Sequence, residues 1–139
     1  MQITRQADYA LRAMLYLARL EPTQRAATSR IAEEQRIPPS FLAKIISQLS
    51  IAGLIHTSRG ARGGVSLARE PGNISLLEVV EAIDGPIMLN ECTGDPSTCT
   101  FGENCPIRSL WCDTQAELVA RLQNTTFAQF ISVSTPQSA

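Results

Sequence analysis

The sequence predicts a mainly α chain with a small β-hairpin wing. A winged helix-turn-helix spans residues 1–74, and a cysteine-bearing loop and a long C-terminal helix occupy residues 75–139. Three observations predict this. Apolar stripes of helical period recur before residue 53, separated by prolines. Two short β-like runs then flank a glycine-rich turn that carries Arg59 and Arg62. All four cysteines of the 139-residue chain fall between positions 92 and 112.

Each element has a local reason. Over residues 4–20, Ala7, Ala10, Leu11, Met14, Leu15 and Ala18 recur at i, i+3, i+4 spacing, and Pro22 ends the run. Thr28 is placed to cap a short second helix through Glu34, with Ile31 and Ala32 facing inward. Pro38 and Pro39 break the chain, and Pro39 suits the first turn of a third helix, where its missing N–H costs nothing. Leu42, Ile45, Ile46 and Leu49 form the buried stripe of that helix, and Gly53 fits its C-terminal cap. Leu54–Thr57 and Val65–Ala68 read as strands around the turn of residues 58–64. Pro71-Gly72 marks a turn, and Ser75-x-x-Glu78 is a capping box that opens a fourth helix ending near Ala82 or Ile83 before Gly85-Pro86. Residues 86–104 read as a loop. Pro106 then starts a helix to about Gln123 with Cys105 as its N-cap and Leu110, Trp111, Leu118, Val119 and Leu122 as its apolar face. A short helical piece near Phe127–Ile131 and a polar tail follow.

Composition narrows the function classes. Apolar residues make up 44% of the chain, enough for a packed core. No apolar run is long enough to span a membrane, and the N-terminus shows no secretory leader, so a cytoplasmic protein is expected. In that compartment structural disulfides are rare, and grouped cysteines point to metal or redox roles. The net charge of −1 hides a split of +5 over residues 1–75 and −6 over residues 76–139. A basic N-terminal half suits a surface that faces phosphates.

In a helix-turn-helix the second helix enters the DNA major groove with its N-terminal residues on base edges. Here that places Ser40, Phe41 and Lys44 in the groove and Gln48 at its edge. Arg59 and Arg62, with Gly60 in the turn between them, lie at the wing tip, within reach of a phosphate or a narrow minor groove.

The cysteines are spaced Cys92-x6-Cys99-x5-Cys105-x6-Cys112. Iron-sulfur clusters prefer thiolates from a loop that can wrap them, and a helix N-cap stabilises the thiolate of Cys105. Structural zinc would favour paired Cys-x-x-Cys spacings, and the chain has none. A disulfide switch is the competing chemistry. Nucleophilic catalysis by Cys105 is not expected, because no histidine lies near it in sequence; the chain is read as a non-enzyme.

The motifs Ile3-Thr4 through Tyr9-Ala10-Leu11-Arg12, Leu42-x-Lys44-Ile45-Ile46-x-Gln48-Leu49, Gly53-Leu54 and Arg59-Gly60-x-x-Gly63-Gly64-Val65-x-Leu67 resemble the Rrf2 family of winged-helix transcription regulators. The resemblance covers residues 1 to about 131. It implies a DNA-binding domain over 1–74, a cluster-binding loop and dimerisation helix over 75–139, a homodimer, and a double-stranded pseudo-palindromic operator. It also implies that Cys92, Cys99 and Cys105 ligate a 4Fe-4S or 2Fe-2S iron-sulfur cluster, as in the IscR-like and NsrR-like members. IscR-like members have a histidine three residues after the third cysteine, where this chain has Arg108, and a glutamate where it has Ala43. Arginine does not ligate iron. Two candidates then stand for the fourth ligand. Cys112 lies seven residues beyond Cys105, a helical rise of roughly 10.5 Å that is too long for a disulfide between them. Asp8 matches the aspartate that an NsrR-like protein supplies from the other subunit's first helix, and it is the favoured candidate. The expected function is a transcription regulator, a repressor by analogy, whose operator affinity follows a cluster that senses nitric oxide, redox state or iron. The alternative is a cluster-free regulator switched by cysteine oxidation.

Overall fold

The computed structural model describes residues 2–61, 63–90, 93 and 104–132. Within them lie helices α1 (Arg5–Ala18), α2 (Thr28–Gln35), α3 (Pro39–Ile51), α4 (Leu76–Asp84) and α5 (Pro106–Gln123). Strands β1 (Ile55–Ser58) and β2 (Gly64–Leu67) form an antiparallel hairpin between α3 and α4. Short 3-10 turns cover Pro71–Asn73 and Phe127–Phe130.

The first helix starts at Arg5 because Thr4 caps it. The Thr4 hydroxyl accepts the Ala7 N–H at 3.1 Å and donates to Asp84 Oδ1 at 2.6 Å. This joins the start of α1 to the last residue of α4, where Gly85, at φ 79°, ends the helix. The buried stripe of α1 runs through Ala7, Ala10, Ala13, Met14, Leu17 and Ala18. Leu11 and Leu15, expected on that stripe, are only half-buried at its border. The second helix corrects the cap expected at Thr28. Ala27 is the N-cap and Thr28 the first helical residue, so no side chain caps this end.

The turn from α2 to α3 is sharp. Arg36 adopts φ 53°, the Ile37 N–H bonds the Ala32 carbonyl at 2.9 Å, and the Arg36 N–H bonds that of Glu33 at 3.3 Å. This is a Schellman closure with arginine at the position where glycine is preferred. The end of α3 repeats it, with Gly53 at φ 76°, Leu54 N–H to Leu49 at 3.0 Å and Gly53 N–H to Ser50 at 3.0 Å. Glycine there was legible in the sequence; the equivalent bend at Arg36 was not, because nothing but its position marks it.

One core unites the elements. Met14, Ile31, Leu42, Leu49, Val65 and Phe127 are all buried in it, and each such side chain contributes about 1.5–3 kcal/mol. Phe127 arrives from the far end of the chain. Its N–H bonds Ile74 at 3.3 Å, and the Leu76 N–H bonds Thr125 at 2.9 Å, so the segment after α5 closes back on the entry to α4. That entry is held by the expected capping box, in which Ser75 and Glu78 exchange bonds of 3.2 and 3.0 Å. Partial burial pushes the Glu78 carboxyl up, but the Ser75 amide and the Arg69 guanidinium outweigh it and leave it below its ordinary value.

The last helix divides along its length. Leu118, Val119 and Leu122 pack on Leu77, Val80 and Ile87. Ile107, Leu110 and Trp111, in the first half, are 60%, 58% and 38% exposed. The single apolar face expected from the sequence is therefore covered by α4 at one end only.

Replacing Arg36 by glycine relieves a left-handed backbone, and the Arg36 side chain makes no hydrogen bond or ion pair with the described residues that would be lost. Arg36→Gly is expected to raise stability by about 0.5–1 kcal/mol. Urea unfolding measures it, and a loss of stability would show that the arginine side chain compensates for its own strain.

Candidate functional site

Two clusters of chemistry-bearing side chains lie on different parts of the fold. The first is built by α3 and the hairpin. Burial of Leu42, Ile45, Ile46 and Leu49 turns the opposite face of α3 outward, and Ser40, Phe41, Ala43, Lys44 and Ser47 are all exposed there. Phe41 is 43% exposed, its ring 6.3 Å from that of Tyr9 on α1. Tyr9 in turn lies 4.9 Å beneath the Arg12 guanidinium, which donates to the Gln35 carbonyl at 3.0 Å at the end of α2. The start of α3 is thus buttressed from α1. Gln48 differs from its neighbours. It is half-buried, and its Oε1 is enclosed with no hydrogen-bond partner among the described residues. An enclosed acceptor without a partner is costly, so this side chain has a reason to turn outward when a donor approaches.

The hairpin supplies the other edge of this surface. Its register pairs Ile55 with Leu67, His56 with Ser66, Thr57 with Val65 and Ser58 with Gly64. Arg59 is exposed just beyond the last pair, and Gly60 at φ 99° reverses the chain and accepts the Gly63 N–H at 2.9 Å. Arg62 lies outside the described residues. The glycines after the tip have steric reasons. A Cβ at Gly63 would collide with the Ser58 carbonyl, and one at Gly64, already at φ 145°, would stand 2.8 Å from the Ala26 carbonyl oxygen. A polar helix N-terminus, one lysine and an arginine-bearing loop on one side of a basic half make a surface suited to an anionic backbone.

The second cluster is partly described. Cys92 and Cys99 lie outside the described residues. Cys105 is the N-cap of α5, half-buried, and its sulfur takes no bond from the first helical turn. A thiol at a helix N-terminus without such a bond is open to serve as a ligand, and thiolate sulfur is what an iron-sulfur cluster takes. Among the described residues no group of three or more His, Cys, Asp or Glu side chains is gathered as a metal site. The helix begins at Pro106, so Cys112 sits seven residues further on, about 10.5 Å by helical rise. Asp8 occupies the first turn of α1 with its side chain 62% exposed, 3.4 Å from Arg12 Nε. It is exposed and pairs with Arg12 on its own helix rather than packing into the core.

Sequence reasoning passed over two arginines that the fold puts to use. Arg12 links Asp8, Tyr9 and the α2 terminus. Arg25 donates from Nη1 to the Ser58 hydroxyl at 2.8 Å. The signal for Arg12 was its i+4 spacing from Asp8; Arg25 carried no local signal.

The sequence profile of the Rrf2 family, described as an iron-dependent transcriptional regulator, matches residues 3–132. The chain is similar to the HTH-type transcriptional regulator IscR of Klebsiella pneumoniae, at 32% identity over 132 residues covering 95% of this chain and 80% of that one. It is equally similar to the HTH-type transcriptional regulator NsrR of Shouchella clausii, at 32% identity with 94% and 89% covered. Its fold matches the structure of CymR, the global cysteine regulator of B. subtilis, with a TM-score of 0.84 and 26% identity over 97% of this chain and 99% of that one.

The two glycines of the hairpin separate steric from conformational cost. Gly64→Ala is expected to lower stability by about 2 kcal/mol or more, and Gly60→Ala, in open space, by about 1 kcal/mol. Thermal melts of both variants test the ranking, and equal losses would mean that contact with Ala26 does not restrain the wing.

Proposed function

The chain belongs to the Rrf2 family of transcriptional regulators, a family of DNA-binding proteins rather than enzymes, and from that premise we propose that it is a cytoplasmic homodimeric repressor whose operator affinity is set by an iron-sulfur cluster. The observation that carries the reading is Cys105 at an open helix N-cap, its sulfur taking no capping bond, in a chain whose family is described as iron-dependent. Cys92, Cys99 and Cys105 would hold the cluster, with Asp8 of the partner subunit as fourth ligand. When bound, the cluster supplies bonds that react with nitric oxide or oxygen. The chain's own residues do the rest. Asp8 sits on the helix that buttresses Phe41, and Cys105 starts the helix that carries the exposed apolar stripe. Holding both together ties the DNA-binding head of one subunit to the dimer helix of the other. Release changes the spacing of the two recognition helices, and so the affinity for a two-half-site operator. Ser40, Phe41, Lys44 and Gln48 read the major groove, and Arg59, Gly60 and Arg62 engage the flanking backbone or minor groove.

A second reading has support of its own. The likeness to CymR and two half-buried free thiols, Cys105 and Cys112, favour a cluster-free regulator switched by cysteine oxidation. Anaerobic purification separates the two. The cluster reading expects a brown protein with stoichiometric iron and sulfide, bleached by nitric oxide titration, and loss of iron, sulfide and colour in Cys105→Ser. Asp8→Ala is expected to change cluster content or reactivity together with DNA affinity; a variant that matches wild type in all three would remove Asp8 from the site. A colourless protein whose DNA binding responds reversibly to thiol oxidants supports the second reading instead.

The dimer has a separate test. Ile107, Leu110 and Trp111 form an i, i+3, i+4 stripe that no element among the described residues covers fully. Leu110→Glu is expected to convert the dimer to monomer at micromolar concentration, read by sedimentation equilibrium. A dimer of undiminished stability would put the interface elsewhere.

A further inference from the structure

The linker between α1 and α2 is built into the wing. Ala26 pairs with Val65 through two bonds, Ala26 N–H to Val65 O at 3.0 Å and Val65 N–H to Ala26 O at 2.8 Å, and both residues are buried. The hairpin therefore carries a one-residue third strand. Arg25 precedes it and is exposed, and its Nη1 donates to Ser58 Oγ at 2.8 Å. Ser58 is the last residue of β1 and is followed directly by Arg59. Across the hairpin, Ser58 pairs with Gly64, whose missing Cβ would lie 3.3 Å from the Arg25 Cβ and 2.8 Å from the Ala26 carbonyl. Both strands are thus gripped by Arg25 and Ala26 where they enter the tip loop. No carboxylate pairs with Arg25 among the described residues, so its fork is committed to the wing rather than to an ion pair.

We propose that Arg25 is a positioning residue for DNA binding: through Ser58 it sets the angle of the wing tip and so the placement of Arg59. A two-stranded hairpin is marginal on its own, and fixing a loose tip on DNA costs conformational entropy at the moment of binding. Arg25 meets part of that cost in the free protein. The inference rests on the reading of Arg59 as a DNA contact.

The test uses the full chain and an operator duplex selected in vitro from a random-sequence pool, with affinities from fluorescence anisotropy at fixed salt. Arg25→Gln and Ser58→Ala are each expected to weaken binding about three- to tenfold, the range set by loss of one hydrogen bond. The double variant is expected to be no weaker than Arg25→Gln, and Arg59→Ala to cost less in the Arg25→Gln background than in wild type. A merely structural role would not produce that dependence on Arg59. Additive losses in the double variant, or an undiminished Arg59 effect in the Arg25→Gln background, would overturn the proposal. If Arg59→Ala has no effect in wild type, the wing reading itself fails, and this inference with it. Should Arg25→Gln lower the melting temperature, Ser58→Ala, at an exposed strand end, carries the same comparison with Arg59.

Discussion

Burial of one stripe of α3 is the constraint on which the rest of the molecule depends. Leu42, Ile45, Ile46 and Leu49 leave almost no surface exposed, and they meet α1, α2 and α4 from different sides. A helix clamped along that stripe has no rotational freedom, so the direction of Ser40, Phe41 and Lys44 follows from the packing behind them. Both ends of the clamp are closed by the same backbone device, a left-handed residue at Arg36 before the helix and at Gly53 after it. The hairpin then starts two residues beyond Gly53, with Leu54 and Ile55 anchored in the same core. Helix α3 and the hairpin are thereby anchored in one core rather than attached independently.

Much of this was legible in the sequence because it is written in local periodicity and local turn chemistry. The stripe of α3, the Gly53 closure, the Ser75–Glu78 box and the glycine-bounded turn each need only a few neighbouring residues to be read. What was illegible depends on partners distant in the chain. Thr28 looked like a cap because a hydroxyl preceded an apolar pair, yet the helix begins one residue earlier, set by Ala27 and by the strand-like pairing of Ala26 with Val65. Leu11 and Leu15 share the period of the α1 stripe, but α1 is narrow enough for alanines to fill its closest contacts, which moves the larger residues to the border. The bond by which Arg12 closes α2, and the one by which Arg25 holds Ser58, reach partners 23 and 33 positions away.

The apolar face of α5 shows a different limit. Periodicity reports that a face is to be buried, without distinguishing burial in the same chain from burial against another. Leu118, Val119 and Leu122 meet α4, whereas Ile107, Leu110 and Trp111 stay open. The two groups lie on one helix and differ in what covers them. The second half of α5 docks the helix to the body, and the bond from Leu89 N–H to Gln115 at 2.8 Å fastens the following loop to the same stretch. The first half projects beyond this attachment as an unshielded apolar surface of the kind that marks an interaction site.

The same geometry constrains any chemistry at Cys105. With α5 starting at Pro106, Cys105 and Cys112 are two helical turns apart, too distant for a shared disulfide. An oxidation switch that uses Cys105 must therefore draw its partner from the preceding loop or from another chain, and a cluster that uses Cys105 must draw its remaining ligands from the same sources. Both chemistries act at the first turn of α5, directly beside Ile107 and Leu110. That turn is remote in sequence from α3 but contiguous with the open apolar stripe. Within the chain, α5 reaches α3 through α4, which packs against both. Asp8 stands exposed on α1 beside Arg12 and Tyr9, the residues that buttress Phe41. A site completed across two chains would therefore act on the support of α3 without disturbing the buried stripe that fixes it.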